Sequence, residues 1–217
     1  GDKKVGETWT TKFEKAFVSS TVHLVPRWLE TYHLTLLTLV WSLGVIIFAK
    51  LAQQSLHWLW GVNLMIIFQY LTDLYDGAVG RQRNTGLIKW GYFMDHFLDF
   101  LFLCSLCFAG YLITPPELSG WIFALLIILS SFLVATFLAF SCTNQFEIYH
   151  FNLGPTEFRA LVIIVNILLI VLGLEHLKIT LPLVCLLLAV LLIIYAFKMS
   201  AKIWRLDMEA KKSQLNQ

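Results

Sequence analysis

The sequence predicts an all-α polytopic membrane protein: six transmembrane helices preceded by an amphipathic helix lying in the membrane interface. Three observations predict it. Of the 217 residues, 58% are hydrophobic and only 14% are charged, with a mean hydropathy of +0.73. A soluble domain carries about 25% charged residues, so this chain has too little polar surface to face water all round. Six apolar runs, separated by charge, Pro or Gly, each approach the roughly 20 residues that a bilayer-crossing helix needs. The basic residues also gather on alternate loops. Disorder and a small disulfide scaffold are excluded by the same composition.

Thr10 to Val25 reads as the amphipathic helix. Phe13, Ala16, Phe17 and Leu24 lie near one face, while Lys12, Glu14 and Lys15 point elsewhere. The segment is too short and too charged for a secretory signal peptide. The six spans run from Leu34 to Ala52, Leu56 to Tyr75, Tyr92 to Thr114, Trp121 to Cys142, Arg159 to Leu174 and Ile179 to Met199. Thr114-Pro115-Pro116 stops the third, because Pro lacks the N–H that a continuing helix requires. Gly154-Pro155 breaks the chain before the fifth in the same way. With no repeat or long linker, the expected organisation is an N-terminal tail and interfacial helix over 1–33, one membrane domain over 34–199, and a C-terminal tail over 200–217.

With the N-terminus in the cytoplasm, that side collects Lys3, Lys4, Lys12, Lys15, Arg27, Arg81, Arg83, Lys89, Arg159, Lys198, Lys202, Arg205, Lys211 and Lys212. Only Lys50 and Lys178 of the 16 basic residues fall outside. The positive-inside rule therefore places both termini in the cytoplasm. A net charge of +2 is too small to imply a nucleic-acid partner; the clustered positive face suits anionic lipid instead. Cys104, Cys107, Cys142 and Cys185 all fall in or beside apolar runs and read as small hydrophobes.

The acids are less ordinary. Four of the six aspartates fall within one short stretch: Asp73 and Asp76 close the second span, and Asp95 and Asp99 open the third. At about 100° per residue, the i,i+3 and i,i+4 spacings put each pair on one helix face. The short connection makes the two helix ends neighbours, so four carboxylates converge on one small volume. An ionised Asp in mid-bilayer costs about 2.5–3.5 kcal/mol, less near the interface, and clustering adds repulsion. Two hard divalent ions, Mg²⁺ or Mn²⁺, resolve that difficulty, and all-oxygen ligands suit them. Such a pair of ions is the layout of two-metal phosphoryl transfer. Gly77 and Gly80 leave the backbone open to a phosphate ligand, Arg81 offers a planar fork, and Gly91 opens the third span without a side chain.

Written out, the stretch is Asp73-Leu-Tyr-Asp76-Gly77-Ala-Val-Gly80-Arg81, nine residues, Gly91-x-x-x-Asp95-x-x-x-Asp99. It resembles the signature of the CDP-alcohol phosphotransferase (phosphatidyltransferase) family, D-x-x-D-G-x-x-A-R, a spacer, then G-x-x-x-D-x-x-x-D. Gly80 stands where the family has a small Ala, and the spacer is one residue longer. The resemblance implies a homodimeric membrane enzyme of phospholipid synthesis whose site opens to the cytoplasm. Such an enzyme moves a substituted phosphate from a CDP-alcohol donor to a lipid or polar alcohol acceptor and releases CMP. Carried over, Asp73, Asp76, Asp95 and Asp99 correspond to metal ligands, and Gly77, Gly80, Arg81 and Gly91 to nucleotide contacts.

A base must take the acceptor's hydroxyl proton. Asp99 is the family's usual candidate, but Asp95-His96-x-x-Asp99 resembles the D-H-x-x-D of the choline/ethanolamine phosphotransferase branch, where the histidine takes the proton. Gly154-Pro155-Thr156-Glu157 is similar to the G-P-x-E of that branch. Glu157 then holds a cationic head group or shapes the acceptor entrance; the alternative is an ordinary N-terminal helix carboxylate. Arg159 is a candidate for an acceptor phosphate, which favours a different substrate. Thr31-Tyr32-His33-Leu34-Thr35 occupies the place of the family's P-N-x-[LI]-T, keeping Leu34 and Thr35 but not the Pro and Asn.

Two chemistries follow. CDP-choline or CDP-ethanolamine with diacylglycerol is favoured by His96 and Glu157. CDP-diacylglycerol with a small polar alcohol is favoured by compact size and the altered first-span motif. The balance leans to the first. A divalent-cation transporter is the reading from another class, since intramembrane acids also mark ion paths. Against it, the first, fourth, fifth and sixth spans carry no mid-span acid.

Overall fold

The computed structural model describes residues 9–143 and 154–215. Every regular element among them is helical: α1 (Trp9–Thr21), α2 (Thr31–Ala52), α3 (Leu59–Arg83), α4 (Ile88–Ile113), α5 (Ser119–Thr143), α6 (Pro155–Leu172) and α7 (Leu177–Leu215), with short 3₁₀ turns between some of them. Lys3 and Lys4 lie outside the described residues, as do the side chains of Lys12, Phe13 and Lys15.

Local chemistry moves the helix ends away from the edges of the apolar runs. α2 begins before Leu34 because Glu30 caps it: the Glu30 N–H donates to His33 Nδ1 at 3.1 Å. α3 continues past Tyr75 through the whole acidic motif and ends at Asn84, whose φ of 55° closes the helix in the left-handed region. α4 likewise starts ahead of Tyr92, so Gly91 sits inside its first turn. α7 runs unbroken from Leu177 to Leu215, making most of the expected C-terminal tail helical.

Among the described residues five helices, α2, α4, α5, α6 and α7, are long and apolar enough to cross a membrane. α3, the second expected span, is not among them. At 25 residues it has the length, about 37 Å at 1.5 Å per residue, but Asn63, Gln69, Asp73, Asp76 and Arg81 dilute its apolar run. The count of six spans is therefore approximate, and the polar content of α3 is the reason.

Packing turns the usual polarity of a globular fold outward. Leu39, Val40, Leu43 and Ile47 of α2 and Phe123 and Leu138 of α5 are exposed, as lipid-facing residues are. The interior carries the polar pairs instead. Asn166 Nδ2 donates to Asn63 Oδ1 at 2.7 Å, both side chains buried, and Trp41 Nε1 donates to Thr72 Oγ1 at 3.2 Å. α2 packs along α3 and α4, α6 against α3, and α5 against α4 and α7. The central apolar core joins Val45, Ala49, Ile66, Phe102 and Leu169 from four helices. The chain is an all-α integral membrane protein.

The two ends of this bundle differ. At one, Ala52, Gln53, Leu112, Thr114 and Leu174 line a common hollow, and Gln53 Nε2 donates to the Leu112 carbonyl at 2.8 Å. Lys50 and Lys178 lie in the helix turns beside it. At the other end meet the start of α2, the end of α3, and the starts of α4 and α6. α1 packs there against α3, with Val18 and Val22 buried among Leu34, Ala78 and Val79.

Candidate active site

Asp73 lies in the fourth turn of α3, and Asp95 and Asp99 stand one turn apart on α4. One carboxylate oxygen from each lies within 4.8 Å of the other two, and all three side chains are half-buried. The fourth acid also ties α3 to α2. Asp76 Oδ2 accepts a hydrogen bond from Thr35 Oγ1 at 3.1 Å, and the Asp76 carbonyl accepts one from Thr31 Oγ1 at 3.2 Å. The threonines stand one turn apart at the start of α2, so the first-span motif touches the acidic motif directly.

Like charges at this spacing repel, and the fold supplies a counter-charge. Arg159, in the first turns of α6, places Nη2 2.7 Å from Asp73 Oδ2 and 3.6 Å from Asp99 Oδ1. Its side chain is only 9% exposed, so water screens the pair weakly. Gln69, one turn before Asp73, donates from Nε2 to Asp99 Oδ1 at 3.2 Å; the residue is buried and its Oε1 has no hydrogen-bond partner among the described residues. Tyr70 lies beneath the Arg159 guanidinium, 5.8 Å from Cζ to the ring centre.

His96 stands at the edge of the group. Its Nδ1 is 3.9 Å from Asp95 Oδ2, and its ring meets Tyr92 edge-on at 4.5 Å and Phe137 of α5 at 5.4 Å. A histidine packed against two rings has a fixed orientation, which a proton acceptor needs.

The glycines separate into different uses. A Cβ on Gly80 would come within 2.9 Å of Thr31 Oγ1 and 3.2 Å of Gly86 Cα, so this glycine lets α2 and the 84–87 loop close against α3. Asp73, Gly77 and Arg81 form one i,i+4 row on α3. A Cβ on Gly77 would stand 3.2 Å from Arg81 Nη1, so the missing side chain leaves that guanidinium room to lie back along the helix. Arg81 itself is exposed, and a Cβ on Gly91 would meet nothing within 4 Å among the described residues. Glu157 uses Oε2 to accept from the Gly154 N–H at 2.9 Å, which is the helix-capping arrangement.

Four participants escape a reading of motifs: Gln69, Tyr70, Arg83 and Glu14, whose Oε1 accepts from Tyr70 Oη at 3.0 Å. Gln69 announces itself only as an amide inside an apolar run. Arg83 gathers the loop beneath α3, donating to the carbonyls of Val25 at 2.9 Å, Pro26 at 3.1 Å and Leu29 at 2.9 Å. Nothing in spacing announces those partners.

Three carboxylates with oxygens within 4.8 Å of one another offer hard oxygen ligands only, the donor set that suits Mg²⁺ or Mn²⁺. No curated protein and no solved structure matches the chain. The CDP-alcohol phosphatidyltransferase model matches residues 30–202, which include the acidic motif, Arg159 and every helix from α2 to α6. On that match the chain belongs to the CDP-alcohol phosphatidyltransferase family, transferases that move a phosphate-linked group from a CDP-alcohol to an alcohol and release CMP.

Proposed function

We propose that this protein transfers the phospho-amino-alcohol group of CDP-choline or CDP-ethanolamine to the free hydroxyl of a diacylglycerol. The acceptor oxygen bonds to the phosphorus as the phosphorus–oxygen bond to CMP breaks, and the hydroxyl proton passes to a protein base. The observation that carries the reading is the convergence of Asp73, Asp95 and Asp99 from two helices, their oxygens within 4.8 Å of one another.

Asp73, Asp76, Asp95 and Asp99 are the residues that would hold two divalent ions. Bound there, such ions would neutralise charge on the diphosphate and on the departing CMP oxygen. Gly77, Gly80, Arg81 and Gly91 would form the nucleotide side, with Arg81 supplying the fork for phosphate oxygens. His96 is the proposed proton acceptor, supported by its place beside Asp95; Asp99 is the alternative. The clustering of basic residues supports a cytoplasmic position for this end of the bundle and for both termini. The working unit is a homodimer by family resemblance.

A second reading takes CDP-diacylglycerol as donor and a small polar alcohol as acceptor. Arg159 favours it, because a buried guanidinium among the acids can also meet a phosphate on the acceptor. The capping bond of Glu157 weighs the same way, since it spends one oxygen that a cationic head group would use.

One experiment separates these. Purified protein in lipid, given Mg²⁺ or Mn²⁺, is offered CDP-choline, CDP-ethanolamine and CDP-diacylglycerol in turn, and CMP is measured. Release from the first two supports the leading reading, and release from CDP-diacylglycerol alone replaces it with the second. Asp95→Asn and Asp99→Asn should each abolish release without loss of folded protein. Undiminished turnover in both would refute the site.

A further inference from the structure

On an interfacial helix a carboxylate belongs on the wet face. Glu14 of α1 is turned inward instead. Its Oε1 accepts from Tyr70 Oη at 3.0 Å and from Thr156 Oγ1 at 2.9 Å, so one oxygen ties α1 to both α3 and α6. Those are the helices that carry Asp73 and Arg159. The Tyr70 ring then lies under the Arg159 guanidinium, which reaches Asp73 at 2.7 Å and Asp99 at 3.6 Å.

Anchorage of α1 does not require this arrangement. Val18 and Val22 are already buried against Leu34, Ala78 and Val79, and Thr21 Oγ1 bonds Tyr75 Oη at 2.7 Å. Bringing another anion toward three aspartates is unfavourable by charge alone. Its two hydroxyl donors offset that cost, because hydrogen bonds to a charged acceptor are about twice as strong as neutral ones. Removing the carboxylate frees the Tyr70 hydroxyl and hence the ring on which Arg159 rests.

We propose that Glu14 is a positioning residue for the acid site: through Tyr70 it sets the Arg159 guanidinium and makes the seating of the interfacial helix part of the site's geometry. This rests on the transferase reading, and it adds a residue outside the family motif.

The test uses the full chain in lipid nanodiscs with Glu14→Ala, Glu14→Gln, Tyr70→Phe and the Glu14→Ala/Tyr70→Phe pair. Tyr70→Phe keeps the aromatic ring and removes only the hydroxyl that ties it to Glu14. Supporting residues around a reactive centre typically cost about 10–100-fold when lost. Glu14→Ala and Tyr70→Phe should each lower kcat about tenfold, the low end of that range, with the donor KM little changed. Glu14→Gln should recover most of the rate, because an amide oxygen still accepts both bonds. The double variant should be no slower than either single one.

Wild-type kcat in both single variants overturns the proposal. So do losses that multiply in the pair, or a fall that merely tracks the amount of folded protein. Hydrogen exchange at the first turns of α6 gives a reading independent of turnover: Glu14→Ala should speed it, and unchanged exchange overturns the coupling. Should the wild type release no CMP from any donor, the transferase reading alone fails, and exchange still decides whether Glu14 positions Arg159.

Discussion

Asp73 and Arg159 stand 86 residues apart in the chain, yet Arg159 Nη2 donates to Asp73 Oδ2 at 2.7 Å. The contact closes α6 onto α3 at the level of the acid group and gives three neighbouring carboxylates a shared counter-charge. Arg159 therefore has two uses that pull together: it holds two helices and it limits the repulsion among Asp73, Asp95 and Asp99.

Arg159→Met should be strongly destabilising. Breaking a buried pair from one side costs about 3–5 kcal/mol, because the remaining charge is left without a partner. The expected result is a clear fall in the thermal midpoint in detergent, partly restored by added Mn²⁺. A midpoint equal to wild type without added metal would show that the pair carries no such strain.

His96 offers a sharper division of roles. If it takes the acceptor's proton, His96→Ala should lower kcat by at least about 100-fold, the lower range for a lost general base. The donor KM should stay close to wild type, since the acids and the nucleotide side are untouched. A loss of only a few fold returns the proton to Asp99.

Arg83 makes a prediction about folding rather than chemistry. Its guanidinium binds the Val25, Pro26 and Leu29 carbonyls at 2.9, 3.1 and 2.9 Å, and lies 3.7 Å from Glu30. Hydrogen bonds to a charged group are worth about 1.5–3 kcal/mol, and partial exposure reduces the sum here. Arg83→Ala should cost about 2 kcal/mol in unfolding measurements. Arg83→Lys should recover little, because a single ammonium cannot span carbonyls the planar fork reaches together.

The Asn63–Asn166 pair tests the deep interior. Asn166→Leu leaves Asn63 without its 2.7 Å partner and should cost about 1–2 kcal/mol. Asn63→Leu/Asn166→Leu should be milder than the sum of the single changes, since both polar groups then disappear. Simple additivity would mean the pair contributes no coupling across α3 and α6.

Much of this was legible in the residues. Runs such as Leu34 to Ala52 declare their helices because every backbone polar group in lipid must be satisfied within the segment. The spacing of Asp73, Asp76, Asp95 and Asp99 declares two acidic faces because helix geometry fixes what neighbours what at i,i+3 and i,i+4. Helix ends were less legible: Glu30, Leu87 and Asn84 bound helices through cap bonds and backbone angles that hydropathy does not register. α3 illustrates the same limit, since its site residues lower the very hydropathy by which a span is recognised.

Sequence alone determined the membrane class, the acidic motif and the kinship with CDP-alcohol phosphatidyltransferases, because composition and local periodicity are properties of neighbours along the chain. Only tertiary structure decided that Asp73, Asp95 and Asp99 group together, that Asp76 also binds Thr35, and that Arg159 lies among the first three. It also decided that Glu14 reaches Tyr70 and Thr156, and that Gly80 serves helix packing. Those facts depend on how helices far apart in sequence are rotated and seated against one another, and many side chains share in setting that rotation.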